Sequence, residues 1–260
     1  MPELPDVEVY RQYLNSTALH QRIEHVHVAS DSILSETTPQ GLGQALRHRS
    51  FHSVERHGKY LFIDTDNKWL VMHFGMTGNI RYFQERQEIP DFTRLLFAFE
   101  NGYRLAYIAP RKLGRIALSD SPQAWIKRHN LGPDALELTE DQFIRAAAQR
   151  RGSVKSWLMN QQRIAGIGNI YSDEILFQAR VHPQHLLNNL DRRVLKRIYE
   201  STQAVIKDAI NARADPERMP AGFLLPHRKQ GEYCPACDTP LESVKAAGRT
   251  AWYCPNCQRL

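Results

Sequence analysis

No apolar run in this 260-residue chain approaches the roughly 18 residues that a membrane-spanning helix needs, so no membrane association is expected. The start, MPELPDVEVYRQ, lacks the basic and then apolar stretch of a secretory signal and carries acids instead, so the chain is not expected to be secreted. Internal repeats and low-complexity tracts are also missing. Cysteine is scarce: there are four, all within residues 234 to 260. Their spacing is therefore more informative than their number.

What is present suits a soluble, intracellular protein. Hydrophobic residues make up 42% and charged residues 24%, ordinary for a globular chain. The length exceeds one average domain, so two compact domains are the natural expectation. Lys and Arg number 34 against 28 Asp and Glu, a formal charge of +6. Such a balance suits a polyanion, although many basic proteins touch no nucleic acid.

Residues 5 to 18 read as a helix, with Pro5 in the first turn and Val7, Tyr10 and Leu14 at helical spacing. From about 22 to 119, short segments such as IEHVHV, YLFIDT, KWLVMHF, RLLFAF and YRLAYI alternate with turn signals. Strands in succession without intervening helices predict an antiparallel sandwich or barrel. From about 121 to 212 the pattern is helical, with Thr139 as an N-cap and a long helix over 190–212. Gly166-Ile167-Gly168-Asn169 interrupts a helical stretch and leads into a helix over 170–179. Residues 213 to 232, rich in Pro, Arg and Gly, read as a linker or mobile loop.

Cys234-x-x-Cys237 and Cys254-x-x-Cys257 are separated by 16 residues. Two knuckle turns can close a four-thiolate tetrahedral shell around one Zn²⁺. A saturated shell leaves no position for substrate, so the zinc is expected to be structural. Two disulfides, disfavoured in a reducing compartment, and an iron–sulfur site, favoured less by the spacing, are the competing readings. Between the knuckles, a β-hairpin turning near Ala246-Ala247-Gly248 is followed by Arg249, which taken alone is an ordinary solvated arginine.

Pro2 is small enough to permit removal of Met1, which would expose a secondary amine able to attack a sugar carbon and form an iminium. Glu3 beside it could move the proton. Many proteins begin Met-Pro without consequence, so the dipeptide alone does not carry this reading.

Three segments, MPELPDVEV, RIAGIGNIYSDEILF and CPAC…GRTAWYCPNCQ, together resemble the formamidopyrimidine-DNA glycosylase (Fpg/Nei) family, in the family's order and across essentially the whole chain. The resemblance implies an α+β, multidomain fold: an N-terminal helix plus antiparallel β-sandwich (1–120), a helix–two-turn–helix (H2TH) domain (121–225) and a zinc-ribbon hairpin (226–260). It implies a bifunctional glycosylase and abasic-site lyase of base excision repair, acting on damaged double-stranded DNA through a Schiff base and β,δ-elimination. No small-molecule cofactor is expected. A monomer is expected, in the cytoplasm, nucleoid-associated if the source is prokaryotic.

Residue by residue, the resemblance makes Pro2 the nucleophile, Glu3 the acid, and Lys59 the lysine assigned to β-elimination. Arg249 becomes the hairpin arginine gripping phosphates and linked to δ-elimination, and Asn169 a binder of the same phosphates. Asn169 opens a helix, where free N–H groups and the helix dipole favour an anion. His73, Lys155 and Arg150 fall on DNA-contacting positions. The lesion must leave the base stack, and Met76, Arg111 and Leu113 match the side chains that fill the gap. For Met76 and Leu113, ordinary core packing is the competing reading.

The chain also departs from the family pattern. The loop usually reading DPRRFG is Ala109-Pro110-Arg111-Lys112-Leu113-Gly114, so an aspartate is lost and the wedge is leucine. Asp6 replaces the usual glutamate, and Pro90-Asp91-Phe92-Thr93-Arg94 lacks a DNA-contacting histidine. Members that excise 8-oxoguanine usually carry a Gly-Thr-rich loop over the everted base, whereas residues 212–220 here carry two prolines and no such pattern. Sugar chemistry should survive these changes, while base preference stays open between oxidised purines, formamidopyrimidines and oxidised pyrimidines. An Nei-like enzyme for oxidised pyrimidines and a non-catalytic damaged-DNA-binding protein are the alternatives.

Overall fold

The computed structural model of the chain describes residues 1–148 and 150–259. It divides into two compact units: Met1–Pro2 with Asp6–Asn130, and Glu3–Pro5 with Leu131–Leu260. Among the described residues, no helix is long and apolar enough to cross a membrane.

In the first unit, α1 (Leu4–Thr17) is followed by β1 (Ile23–Val28), α2 (Pro39–Leu46), β2 (Val54–His57), β3 (Tyr60–Asp64), β4 (Trp69–His73), β5 (Asn79–Gln84), β6 (Thr93–Phe99), β7 (Tyr103–Ile108), β8 (Arg115–Ser119) and α3 (Pro122–Arg128). The strands form two four-stranded sheets, ordered β1-β6-β7-β5 and β2-β3-β4-β8, and all ladders within them are antiparallel. One core draws on both sheets (Leu61, Leu70, Ile116 and Leu95, Phe97, Leu105), on Val7 and Leu14 of α1, and on Leu42 and Leu46 of α2. Phe51 meets Phe97 and Phe99 edge-on at 5.5 and 5.7 Å. Such pairs add roughly 0.5–1.5 kcal/mol beyond area burial.

Helix α2 corrects the expectation of strands without intervening helices. The Thr38 hydroxyl accepts the Gly41 N–H, and Pro39 occupies the first turn. Two glycines inside the helix lower its intrinsic propensity, so this cap and the burial of Leu42 and Leu46 decide it.

The second unit holds α4 (Glu140–Ala147), α5 (Val154–Leu158), α6 (Asn169–Gln178), α7 (Arg192–Asn211), β9 (Glu242–Ala246) and β10 (Arg249–Tyr253). Thr139 caps α4 in a capping box with Gln142, and Asp191 caps α7. The core joins Phe143, Trp157, Ile164, Ile175, Leu176, Ile198 and Val205 to Leu4, the lone contribution from the chain's start. Helix α5 is a short turn, so residues 159–168 form a longer irregular segment than the expected glycine interruption. Residues 213–232 are not a free linker. They contain 3₁₀ turns at Pro216–Arg218 and Leu225–His227 and bury Met219, Phe223 and Leu224.

Candidate active site

The start of α6 is the centre of the site in the second unit. The Glu3 carboxylate accepts the N–H groups of Gly168 (2.6 Å), Ile170 (2.8 Å) and Tyr171 (3.3 Å). Glu3 is fully buried, and the next residue donates its own N–H to the Gly166 carbonyl at 3.0 Å. A helix N-terminus leaves its first amides unpaired and carries partial positive charge, so it selects an anion. The anion on these amides is a carboxylate supplied from the chain's start. Gly166 (φ +116°) permits this arrangement, because a Cβ there would lie 2.5 Å from Leu4 Cδ1. Pro2 is buried, one peptide bond upstream of this anchor, and Met1 is 41% exposed.

A buried ion pair lies one turn further along α6. Lys155 Nζ donates to Asp173 Oδ1 (2.6 Å), Ser172 Oγ (2.7 Å) and the Asn169 carbonyl (3.0 Å). Burial lowers the Lys155 pKa, and the Asp173 charge opposes that shift. Lys155 has no exposed surface and braces the start of α6 through the Asn169 carbonyl. Asp173 Oδ2 also accepts Arg228 NH2 (2.7 Å) and Nε (3.1 Å) and the Trp252 N–H of β10 (3.1 Å). Asn169 Nδ2 donates to the Thr250 carbonyl at 3.3 Å. Two side chains of α6 thus grip β10 beside Arg249, which is exposed at the hairpin tip. Ala247 and Gly248 both have positive φ, 52° and 70°, the backbone of a two-residue type I′ turn.

Behind the hairpin lie the four cysteines. Their Sγ atoms all fall within 4.8 Å of one another, with Cys234–Cys257 at 3.9 Å, Cys237–Cys254 at 3.5 Å and Cys237–Cys257 at 3.4 Å. A Zn–S bond of about 2.3 Å in a tetrahedron implies sulfurs about 3.8 Å apart, whereas a disulfide needs about 2.05 Å. The thiols fit one closed, structural zinc. Phe177 of α6 and Leu224 pack with Cys234 and Cys254, tying the module to the helix.

The other expected residues gather at one end of a sheet in the first unit. Lys59 is buried and follows Gly58 (φ 57°) in the turn between β2 and β3. His73 ends β4, paired with Tyr60 and Arg115 on either side. Burial, with repulsion from Lys59 and Arg115, lowers the His73 pKa to about 4. His73 is therefore neutral near pH 7. Its Nδ1 accepts the Gly75 N–H at 3.3 Å, which leaves the proton on Nε2. A Cβ on Gly75 would lie 2.5 Å from the Leu113 carbonyl carbon, so glycine lets the loop after β4 pack on the loop before β8. Met76 is half-buried on the first loop, and Arg111 and Leu113 are exposed on the second. Leu113, at 44% exposure, is not a core residue. Tyr10 of α1 donates to the Gly78 carbonyl, fixing the first loop from behind.

Arg150 is exposed beside α4. Asp173 and Arg228 were not expected. Asp173 lies inside RIAGIGNIYSDEILF without a pattern of its own, and Arg228 lies in the segment read as a linker. A buried acid and a basic residue 55 positions apart leave no spacing signal.

Three family models match in order: the formamidopyrimidine-DNA glycosylase N-terminal domain over residues 1–116, its H2TH domain over 131–219, and a zinc finger found in FPG and IleRS over 231–260. The formamidopyrimidine-DNA glycosylase of Listeria innocua is 31% identical over 275 residues, covering all of both chains. That of Geobacter metallireducens is 32% identical over 268 residues, covering 99% of this chain and all of the relative. A solved complex of Lactococcus lactis Fpg with abasic-site DNA superimposes with a TM-score of 0.91 at 26% identity, covering 99% of this chain and all of that one. Architecture, cysteine shell and full-length similarity agree: the chain belongs to the formamidopyrimidine-DNA glycosylase family, DNA glycosylases of base excision repair.

Proposed function

We propose that the chain acts on damaged double-stranded DNA with Pro2, freed by loss of Met1, as its nucleophile. The carrying observation is the fixation of Glu3 by three backbone N–H groups, which ties the neighbouring imino nitrogen to a rigid helix start. A nucleophile held on a rigid element avoids the entropic cost of positioning at the moment of attack. The Pro2 nitrogen attacks C1′ of an extrahelical nucleotide, forming a C–N bond as the bond to the damaged base breaks. Ring opening then gives an iminium, with Glu3 moving the proton. Loss of a C2′ proton and cleavage of the C3′–O bond is the β-elimination assigned to Lys59. Loss of a C4′ proton with cleavage of the C5′–O bond follows, releasing the 5′ phosphate, with Arg249 on the flanking phosphate.

Asn169 and His73 donate neutral hydrogen bonds to the DNA backbone, Arg150 adds charge, and Lys155 positions the start of α6. Met76, Arg111 and Leu113 fill the gap left by the base. The zinc holds the hairpin's shape and takes no part in bond-making. The functional division is 1–120, 121–225 and 226–260, and the enzyme works as a cytoplasmic monomer without an organic cofactor.

Residues 212–220 support no Gly-Thr-rich cover over the base, because Met219 is buried and Asp215 closes the turn Pro216–Arg218. Base choice therefore rests on other contacts, while sugar chemistry does not depend on this segment. Borohydride trapping on duplexes with 8-oxoguanine, a formamidopyrimidine, 5-hydroxyuracil, thymine glycol or an abasic site tests both points. The abasic duplex is expected to trap whichever bases do, and Pro2→Ala should cripple trapping while leaving binding largely intact. No adduct from protein lacking Met1, on any of the five, rejects the nucleophile.

A further inference from the structure

We infer that the helical unit carries a second phosphate pocket that takes a nucleotide. A cavity of about 310 Å³ is lined by Arg145, Arg150 and Arg163, the carboxamides of Gln142 and Gln162, and an apolar floor that includes Leu138 and Ala146. No described lining residue is acidic. The acids that open α4 face elsewhere: Glu140 pairs with Lys196 and Asp141 with Arg192, both on α7. Gln142, Arg145 and Ala146 stand three and four apart on α4, so they share a face. Three arginines on one cavity whose described lining holds no acid favour an anion there.

The wall opposite α4 is held by backbone. Gly132 donates to the Gln161 carbonyl at 2.8 Å, and Ala165 to the Pro133 carbonyl at 2.9 Å. A Cβ at Gly132 would lie 2.6 Å from the Arg163 carbonyl carbon, so this close approach requires glycine. Arg163 is thus presented by a fixed peptide. The cavity is roomier than a bare phosphate needs. Guanidinium planes can bond a phosphate and stack on a base, the apolar floor suits a sugar or base face, and the carboxamides suit base edges. These features select a nucleoside phosphate, either free or within a DNA strand.

The DNA source rests on the proposed function; the free source does not. Two titrations with the full chain separate them: thymidine 5′-monophosphate beside inorganic phosphate, and duplexes of increasing length around an abasic-site analogue. The test variant is Arg145→Ala with Arg163→Ala, both exposed and outside the residues assigned to catalysis. If the pocket takes a strand, affinity rises with duplex length in the parent. The variant loses that rise by about tenfold, and its salt slope falls by about one to two. If it takes a free nucleotide, the variant binds thymidine monophosphate at least about tenfold more weakly. Equal binding by parent and variant in both titrations overturns the inference. Borohydride trapping does not read this pocket, so a failure of the nucleophile assignment is seen separately.

Discussion

Asp173 illustrates how a single buried charge ties several elements to one helix. Its two oxygens collect Lys155, Arg228 and the Trp252 N–H at 2.6–3.1 Å, joining α5, the 213–232 segment and β10 to α6. Both Asp173 and Lys155 are essentially unexposed, so neither can find water if its partner is lost. Removing one member of a buried pair costs about 3–5 kcal/mol, whereas replacing both with apolar groups is often neutral. Asp173→Asn should therefore lower the melting temperature and weaken DNA binding, as should Arg249→Ala. Adding Lys155→Met to it should recover stability but not the hairpin's grip on DNA. Calorimetry and a binding titration on the single and double variants check this. A double variant as unstable as the single one would show that the pair is not the cause.

At the level of elements, the zinc hairpin was readable and its turn carries avoidable strain. Ala247 sits at φ 52°, where a Cβ costs roughly 1–2 kcal/mol relative to a right-handed conformation, while Gly248 accepts φ 70° freely. Ala247→Asn, which tolerates this region better, should stabilise the hairpin by about 0.5–1 kcal/mol. Slower thiol reactivity of the cysteines under mild chelation, beside the parent protein, is the expected reading; faster reactivity would mean that the turn is not the limiting strain. The hairpin was legible because CxxC pairs, Gly248 and alternating strand residues are local signals. Helix α2 was not, because its cap is ordinary and its two glycines argue against a helix until Leu42 and Leu46 find a core. The anchoring of residues 213–232 was hidden for a related reason. Pro, Arg and Gly describe a loop's backbone, whereas Glu174, which accepts the Leu224 and Leu225 N–H groups at 3.2 and 2.7 Å, lies 50 positions away. Burial raises the Glu174 pKa to about 7 against those bonds, a cost no composition reports.

For the whole chain, the expectations for Pro2, Glu3 and Lys59 rested on motif resemblance, because the physical link between Glu3 and α6 spans more than 160 positions. That link has a consequence for stability. Glu3–Pro5 belongs to the helical unit, so this unit is discontinuous in sequence, and Leu4 is a fully buried member of its core. Burial of Leu4 against Gly166, together with the Glu3 cap, makes the first residues of the protein a structural part of a unit otherwise beginning at Leu131. A fully buried leucine cut to alanine costs about 2–5 kcal/mol, the larger part when the cavity cannot collapse. Leu4→Ala should therefore speed amide exchange in α6 and α7 by at least about thirtyfold, the equivalent of 2 kcal/mol. Amides of β3 and β4, whose core does not include Leu4, should keep their parent rates. Trapping with Pro2 intact should fall in parallel, since the anchor of the proposed nucleophile loosens with the helix start. Unchanged exchange in α6 would mean that the start of the chain rests on the helical unit without supporting it, and the rigid-anchor account of Pro2 would fail with it.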